Sequence, residues 1–248
     1  MKNLPYLFVV LLALVAAPLA HADKKQAYIA DYRTLLSKYV QEGEKQGIKA
    51  TLVDYASWGK DQLHKKALNT LQQINPEALS GKEKMAFWIN AYNLLTIDLI
   101  IKTGEKESIK NHGSLFKNVW KSHYWEIHGS RYTLDEIEHQ ILRPMGDPKI
   151  HVAINCASLS CPDLRAEPYA AEKLDNQLEE QAQLFVTNQS KGVAIHNSGL
   201  KISEIFKWFA EDFGGEQGVE EFIHRHLPQA NNKKIDDYFD YNWSLNGK

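Results

Sequence analysis

Apolar residues in this chain fall first into one nearly continuous block, Leu4 to Leu19, and then into short periodic runs separated by polar turns. The block follows Met1-Lys2-Asn3 and ends at Ala20-His21-Ala22. A basic start, an apolar core and a small-x-small site predict a Sec-type signal peptide (residues 1–22) cleaved after Ala22. The block is a little short for a membrane span and carries Pro18 near its end, which argues against a retained anchor, so no transmembrane segment is expected after cleavage. No cysteine follows it, so the lipoprotein route is not expected.

Beyond the leader the pattern predicts mostly helices. Residues 23–42 place Tyr28, Ile29, Tyr32, Leu35, Leu36 and Tyr39 at helical spacing, with Gly43 and Gly47 bracketing the end. Leu52 to Tyr55 reads as extended, and Asp61 to Ile74 as a helix stopped by Asn75-Pro76. Ser80 and Glu83 have capping-box spacing before Lys84 to Ile101, which is apolar nearly all round and predicts a helix buried on most sides. Lys102 to Ser122 is a polar connection with an apolar cluster at Leu115, Phe116, Val119 and Trp120. Tyr124 to Tyr132 alternates about Gly129-Ser130 and predicts a hairpin. Thr133 and Glu136 form a second capping-box pattern, opening a short helix that carries Glu138 and His139 and stops at Pro144.

Ile150 to Ile154 is a short apolar run of strand type. Glu172 to Asn188 is amphipathic, Gly192 to Ile202 reads as a hairpin about Asn197-Ser198, and Ser203 to Phe213 and Val219 to Leu227 read as helices. The tail from Ile235 to Leu245 is too aromatic for a free end and is expected to dock on the core. No repeat or low-complexity linker interrupts residues 23–248, so the pattern predicts a single α+β domain, helix-rich with a small antiparallel sheet.

Composition narrows the function classes. The 248 residues carry 29 basic and 31 acidic side chains, a net charge of −2 that becomes −3 once Lys2 leaves with the leader. No basic stripe is present, so nucleic acid is not an expected partner. The predicted export makes the mature protein periplasmic or secreted, where two cysteines default to a disulfide. Cys156 and Cys161, with four residues between them, are the whole cysteine count, and a bridge between them would contribute only about 2 kcal/mol on the loop-entropy model.

Both cysteines fall in the stretch from Arg143 to Arg165, where the apolar run ends at a thiol entering a Ser/Cys/Pro/Asp loop. A rigid element that hands a nucleophile to a loop is a common way to build a site. One reading makes Cys156 a nucleophile with His139 as its base. Strand alternation puts His151 with Ala153 and Asn155, opposite the face of Cys156, which favours His139 over His151. Glu138 is the candidate third member, with Glu126 or Asp163 as substitutes, because helix neighbours point about 100° apart and Glu138 reaches His139 only if the helix ends or bends there. A second reading is structural: a Cys156–Cys161 disulfide in a non-catalytic binding domain. A third takes His139, His151, Cys156 and Cys161 as metal ligands, but the spacing lacks the tight C-x2-C knuckle, so no metal or other cofactor is expected. Asn90 and Asn93, two amides inside the buried helix, either bond to loop backbone or face the site to hold an oxyanion. His151, Ser160, Cys161 and Arg143 complete the candidate binding residues.

The segments Ala86-Phe87-Trp88-Ile89-Asn90-Ala91-Tyr92-Asn93, Ile137 to Pro144, His151 to Cys156 with Ser160-Cys161-Pro162, and Tyr241 to Asn246 together resemble the domain of unknown function 547 family over roughly residues 80–246. That resemblance implies a papain-like or transglutaminase-like fold with a cysteine-based site at which Cys156, His139, Glu138 and His151 are the matching polar positions. It implies amide hydrolysis or acyl transfer, and export points to a peptide, peptidoglycan or envelope protein as substrate.

Overall fold

A computed structural model describes residues 24–113, 118–197 and 199–248. The predicted leader, Leu115, Phe116 and Ser198 lie outside the described residues.

The centre of the architecture is the helix that the sequence marks most strongly. We number the elements in chain order: helix α1 (24–39), strands β1 (Val40–Lys45) and β2 (Ile48–Val53), helix α2 (Gln62–Gln72) and helix α3 (Gly81–Thr103). From Ala86 to Ile100 every side chain of α3 is buried, and Gly104, at φ 66°, ends it by donating to the Ile100 and Ile101 carbonyls. At about 1.5–3 kcal/mol for each large apolar side chain removed from water, this helix dominates the packing of its half of the molecule. Ser80 occupies the N-cap position, but its side chain caps nothing and Glu83 pairs with Lys25, so the first predicted capping box does not form. The second does: Thr133 and Glu136 bond reciprocally.

The sheets are small. β1 and β2 pair antiparallel, Val40 opposite Val53, about Gln46 and Gly47, both at positive φ. The helical period over 23–42 therefore runs three residues too far, and Gly43 lies in a strand rather than at a helix end. β3 (Tyr124–Ile127) and β4 (Ser130–Thr133) form the predicted hairpin, and β5 (Val193–Ile195) with β6 (Leu200–Ile202) the next. β7 (Ile235–Tyr238) adds to β6 in parallel, so this last sheet is mixed. Helices α4 (Leu174–Thr187), α5 (Glu204–Trp208) and α6 (Gly215–His226) pack around it, with Ala210–Phe213 forming a separate 3-10 turn after α5. The whole is α+β, rich in helix with small sheets, as the pattern predicts. No helix among the described residues is long and apolar enough to cross a membrane.

Two segments depart from the sequence pattern in ways that shape the site. Ile150–Ala153 is a helical turn, not a strand. Asn93 of α3 donates to the Ala153 carbonyl at 3.0 Å and accepts from the Asn155 N–H at 2.7 Å, closing the turn with a side chain. Ile137–Leu142 is a π-helical turn in which the Arg143 N–H reaches the Glu138 carbonyl, five residues back. Pro144 accounts for it: its ring crowds the carbonyl of Gln140, four residues earlier, and the turn widens to make room.

Buried apolar residues form two clusters, one around α3 and one around α4–α6 and the mixed sheet. The turn Ile150–Ala153 divides itself between them, Ile150 and Ala153 in the first and Val152 in the second. The tail docks as predicted: Ser244 and Asn242 accept from the Leu159 and Ser160 N–H groups, and Asn246 accepts from Val53 of β2.

Candidate active site

A cavity of about 190 Å³ opens where the two clusters meet, with Ile154 of the first and Ile205 of the second both in its wall. Five separate pieces of chain supply most of its polar groups. Tyr92 comes from α3, Glu138 and His139 from the π-helical turn, His151 from the helical turn, Cys156 and Cys161 from the loop behind it, and Tyr241 from the tail. Trp120, Trp208, Phe209 and Trp243 form an aromatic wall, with the Trp208 and Trp243 rings stacked 5.9 Å apart and Trp208 46% exposed.

Asn155 sets the position of Cys156 from below. Its Oδ1 accepts from the Ala157 N–H and its Nδ2 donates to the Pro162 carbonyl, folding the loop back on itself with Ala157 at φ 61°. Cys156 Sγ then lies 3.2 Å from Ser158 Oγ and 3.3 Å from Tyr241 Oη. Both cysteines carry free thiols, and the Cys156 N–H donates to Cys161 Sγ at 2.7 Å. Burial pushes the Cys156 thiol up, but hydrogen bonds from Cys161, Ser158 and Tyr241 outweigh it and bring it down to about 7. Burial raises the Cys161 thiol, and its neighbour raises it further.

The two candidate histidines differ in what holds them. His139 is exposed at the rim; Arg143 donates to its Nδ1 at 3.1 Å, and its Nε2 lies 3.7 Å from Asp135. Arginine only donates, so Nδ1 is already occupied as an acceptor. Partial desolvation keeps His139 below its ordinary value, opposed by Asp135 and Asp212 and helped by Arg143 and Lys121. His151 is buried, stacked on Phe209 at 3.9 Å, and its Nε2 lies 2.7 Å from Asp212 Oδ2. A carboxylate only accepts, so Nε2 carries the proton and Nδ1 holds the lone pair, buried and without a partner. Burial lowers His151 to about 4, so the ring is neutral near pH 7. Asp212 is gripped by Arg143 through two bonds of 2.6 and 2.7 Å, which together with His151 hold its carboxyl down at about 2. No hydrogen bond joins Cys156 to either imidazole.

Strand alternation, the argument that separates His151 from Cys156, does not apply to a helical turn, and both residues line the same cavity. Glu138 does not orient His139. Its carboxyl accepts from Tyr92 Oη at 3.2 Å, and burial raises it to about 7 despite that bond. The substitutes are elsewhere: Glu126 is exposed in β3 opposite Arg131, and Asp163 binds Lys191 and the Thr51 N–H. Asn90 trades two bonds with the backbone of Tyr169, as Asn93 does with residues 153 and 155, so both amides fix loops and neither lines the cavity. Ser160 likewise ties the loop to the tail, accepting from the Asn242 N–H at 2.8 Å. Among the described residues no group of three or more His, Cys, Asp or Glu side chains is gathered to hold a metal ion, so the four His and Cys positions do not form a ligand set.

Sequence reasoning missed Asp212, Tyr241 and Ser158. Asp212 lies 61 residues from His151 in a run that reads as ordinary helix. Tyr241 belongs to the docking tail and to one of the family-like segments, but nothing in the sequence pairs it with Cys156. No curated protein and no solved structure matches this chain. Residues 76–186, which hold α3, the π-helical turn, His151 and both cysteines but not Asp212 or Tyr241, match the model of the family described as "Protein of unknown function, DUF547".

Proposed function

We propose that this chain is an exported, periplasmic or secreted cysteine enzyme of papain-like or transglutaminase-like descent that hydrolyses an amide or transfers its acyl group. The observation that carries this reading is the pairing, around one cavity, of a partly exposed Cys156 thiol with a His151 held through Nε2 by Asp212 and left with an open Nδ1. An unpartnered buried ring nitrogen is costly and calls for a role, and hydrogen bonds in a substrate-free site often close only when substrate arrives.

In this mechanism the Cys156 proton passes to His151 Nδ1, and the thiolate attacks the carbonyl carbon. The imidazolium, steadied by Asp212, returns the proton to the leaving amine, and a thioester remains on Cys156. Water or a second amine then resolves the thioester, with Nδ1 taking its proton. Ser158 Oγ and Tyr241 Oη, both already beside the sulfur, are the donors at hand for the developing oxyanion. The aromatic wall suits an apolar side chain or ring next to the scissile bond, and the predicted export makes a peptide, a peptidoglycan crosslink or an envelope protein the expected source of that amide.

Mature protein incubated with envelope peptides and peptidoglycan fragments, with new termini or crosslinks read by mass spectrometry, tests this. Cys156→Ala is expected to abolish product and Cys161→Ala to retain it at pH 8. Equal activity in Cys156→Ala and wild type removes the nucleophile.

A further inference from the structure

The two sulfurs are placed for chemistry with each other, and this does not rest on the acyl-transfer reading. We propose that Cys156 and Cys161 form a dithiol that exchanges with an external disulfide, Cys156 attacking it and Cys161 resolving the mixed intermediate. Cys156 is the outer thiol, partly exposed in the cavity; Cys161, 3% exposed, sits behind it in the same wall. Both cysteines are free thiols, and the Cys156 N–H points at Cys161 Sγ at 2.7 Å.

Each sulfur has its own donors for an anionic state. Ser158 and Tyr241 hydroxyls serve the outer one, and the Cys156 backbone N–H serves the inner one. The backbone between them is fixed at both ends. Asn155 pins the Ala157 N–H, the Cys161 N–H bonds back to the Ser158 carbonyl at 3.2 Å, and the buried Lys191 ammonium donates to the Cys161 carbonyl at 2.8 Å. A thiol held for structure alone has no use for a solvent-facing partner with two hydroxyls on its sulfur.

The Cys156 thiolate attacks one sulfur of a disulfide R–S–S–R, forming Cys156–S–S–R and releasing RS⁻. Cys161, its proton lost to solvent, then attacks Cys156 Sγ, forming the Cys156–Cys161 bond and releasing the second RS⁻. The protein loses two electrons and the external disulfide gains them, leaving two R–SH after protonation.

Glutathione disulfide is the probe. Fully reduced mature protein is equilibrated in oxidised and reduced glutathione at a series of ratios, quenched in acid, alkylated and weighed. The expected result is one two-electron transition from two free thiols to an internal disulfide, reversed by excess reduced glutathione, with no lasting adduct on the wild type. Cys161→Ser is expected to stop with one glutathione on Cys156. A stable glutathione adduct on wild-type Cys156, no exchange at either cysteine, or an internal bridge that excess reduced glutathione does not open would each overturn the proposal. The readout uses no amide substrate, so failure of amide cleavage leaves it intact, and failure of exchange leaves amide cleavage intact.

Discussion

Two buried histidine–carboxylate pairs in this molecule are built from the same parts and finished differently. In the first, His64 Nε2 bonds Asp98 at 3.1 Å, and its Nδ1 accepts from Trp58 Nε1 at 3.0 Å. Asp98 also accepts from Trp125 Nε1 and pairs with Lys102, each at 2.6 Å. Every polar atom there has a partner, and the pair faces no cavity beside a thiol. In the second, His151 and Asp212 make a shorter bond, 2.7 Å, but Nδ1 of the ring is left open in the wall of the cavity that holds Cys156. A closed network of this kind fixes a fold; an open one leaves a proton acceptor without a proton. The proposed chemistry therefore uses the second pair and not the first.

Carboxylate removal should separate the two most sharply. Asp98→Ala strands a buried imidazole and an indole N–H and is expected to cost about 3–5 kcal/mol in chemical denaturation. Product formation by the molecules that remain folded should be unchanged. Asp212→Asn sits at a more exposed position and should cost only about 1–2 kcal/mol. Because it frees the His151 tautomer, it is expected to lower amide turnover by about 10²-fold or more. If Asp98→Ala silences folded protein while Asp212→Asn does not, the assignment of roles is reversed.

The open site should also show itself in the dependence of stability on pH. Glu138 is raised from its ordinary 4.5 to about 7, so between those values the folded state holds a proton that the unfolded state has lost. Its contribution is fully present below about 4.5 and drains away as pH rises past 7. His151, lowered from 6.5 to about 4, works in the opposite direction: the unfolded state binds the proton first, and stability is lost as pH falls from 6.5 through 4. Glu138→Gln keeps an acceptor for Tyr92 and removes only the first effect. Relative to wild type, its stability is expected to improve by up to about 3 kcal/mol between pH 4.5 and 8, leaving the His151 slope. Parallel stability curves for the two proteins would mean that Glu138 is ionised in the fold at neutral pH.

What the sequence revealed, and what it concealed, follows the same division between local and assembled features. The buried helix around Asn90 and Asn93, the hairpins at Gly129 and Asn197, and the Thr133–Glu136 cap depend on residues a few positions apart, and their signals are in the chain. So is the thiol, because a strand-like run ending in cysteine and a loop is a local pattern. The conformation of Ile150–Ala153 was not legible. Its apolar, partly β-branched composition suits a strand, and the side chain that decides the matter, Asn93, is 60 residues away. A strand there would turn His151 away from Cys156; the helical turn instead lets both line one cavity. Asp212 was invisible for a related reason: nothing in a helix-like run of Ala210-Glu211-Asp212-Phe213 distinguishes the carboxylate that Arg143 and His151 will share.

The smallest expected effect tests how the cysteine loop is held. Ala157 is fully buried at φ 61°, where a side chain costs about 1–2 kcal/mol relative to the right-handed region. Ala157→Gly relieves that strain, but it also gives up a buried methyl, worth about 0.8 kcal/mol, and adds freedom to the unfolded chain. These terms oppose one another, so the melting transition should move by less than about 1 kcal/mol. The Asn155 side chain still bonds the residue 157 N–H in this variant, so Cys156 and Cys161 should keep their contact and Cys156 should alkylate at nearly the wild-type rate near pH 7. Ala157→Val, branched at the same positive φ, should lose stability and thiol reactivity together. If glycine alone slows alkylation severely with no change in stability, the methyl of Ala157 is what aims the thiol, and Asn155 is not its main support.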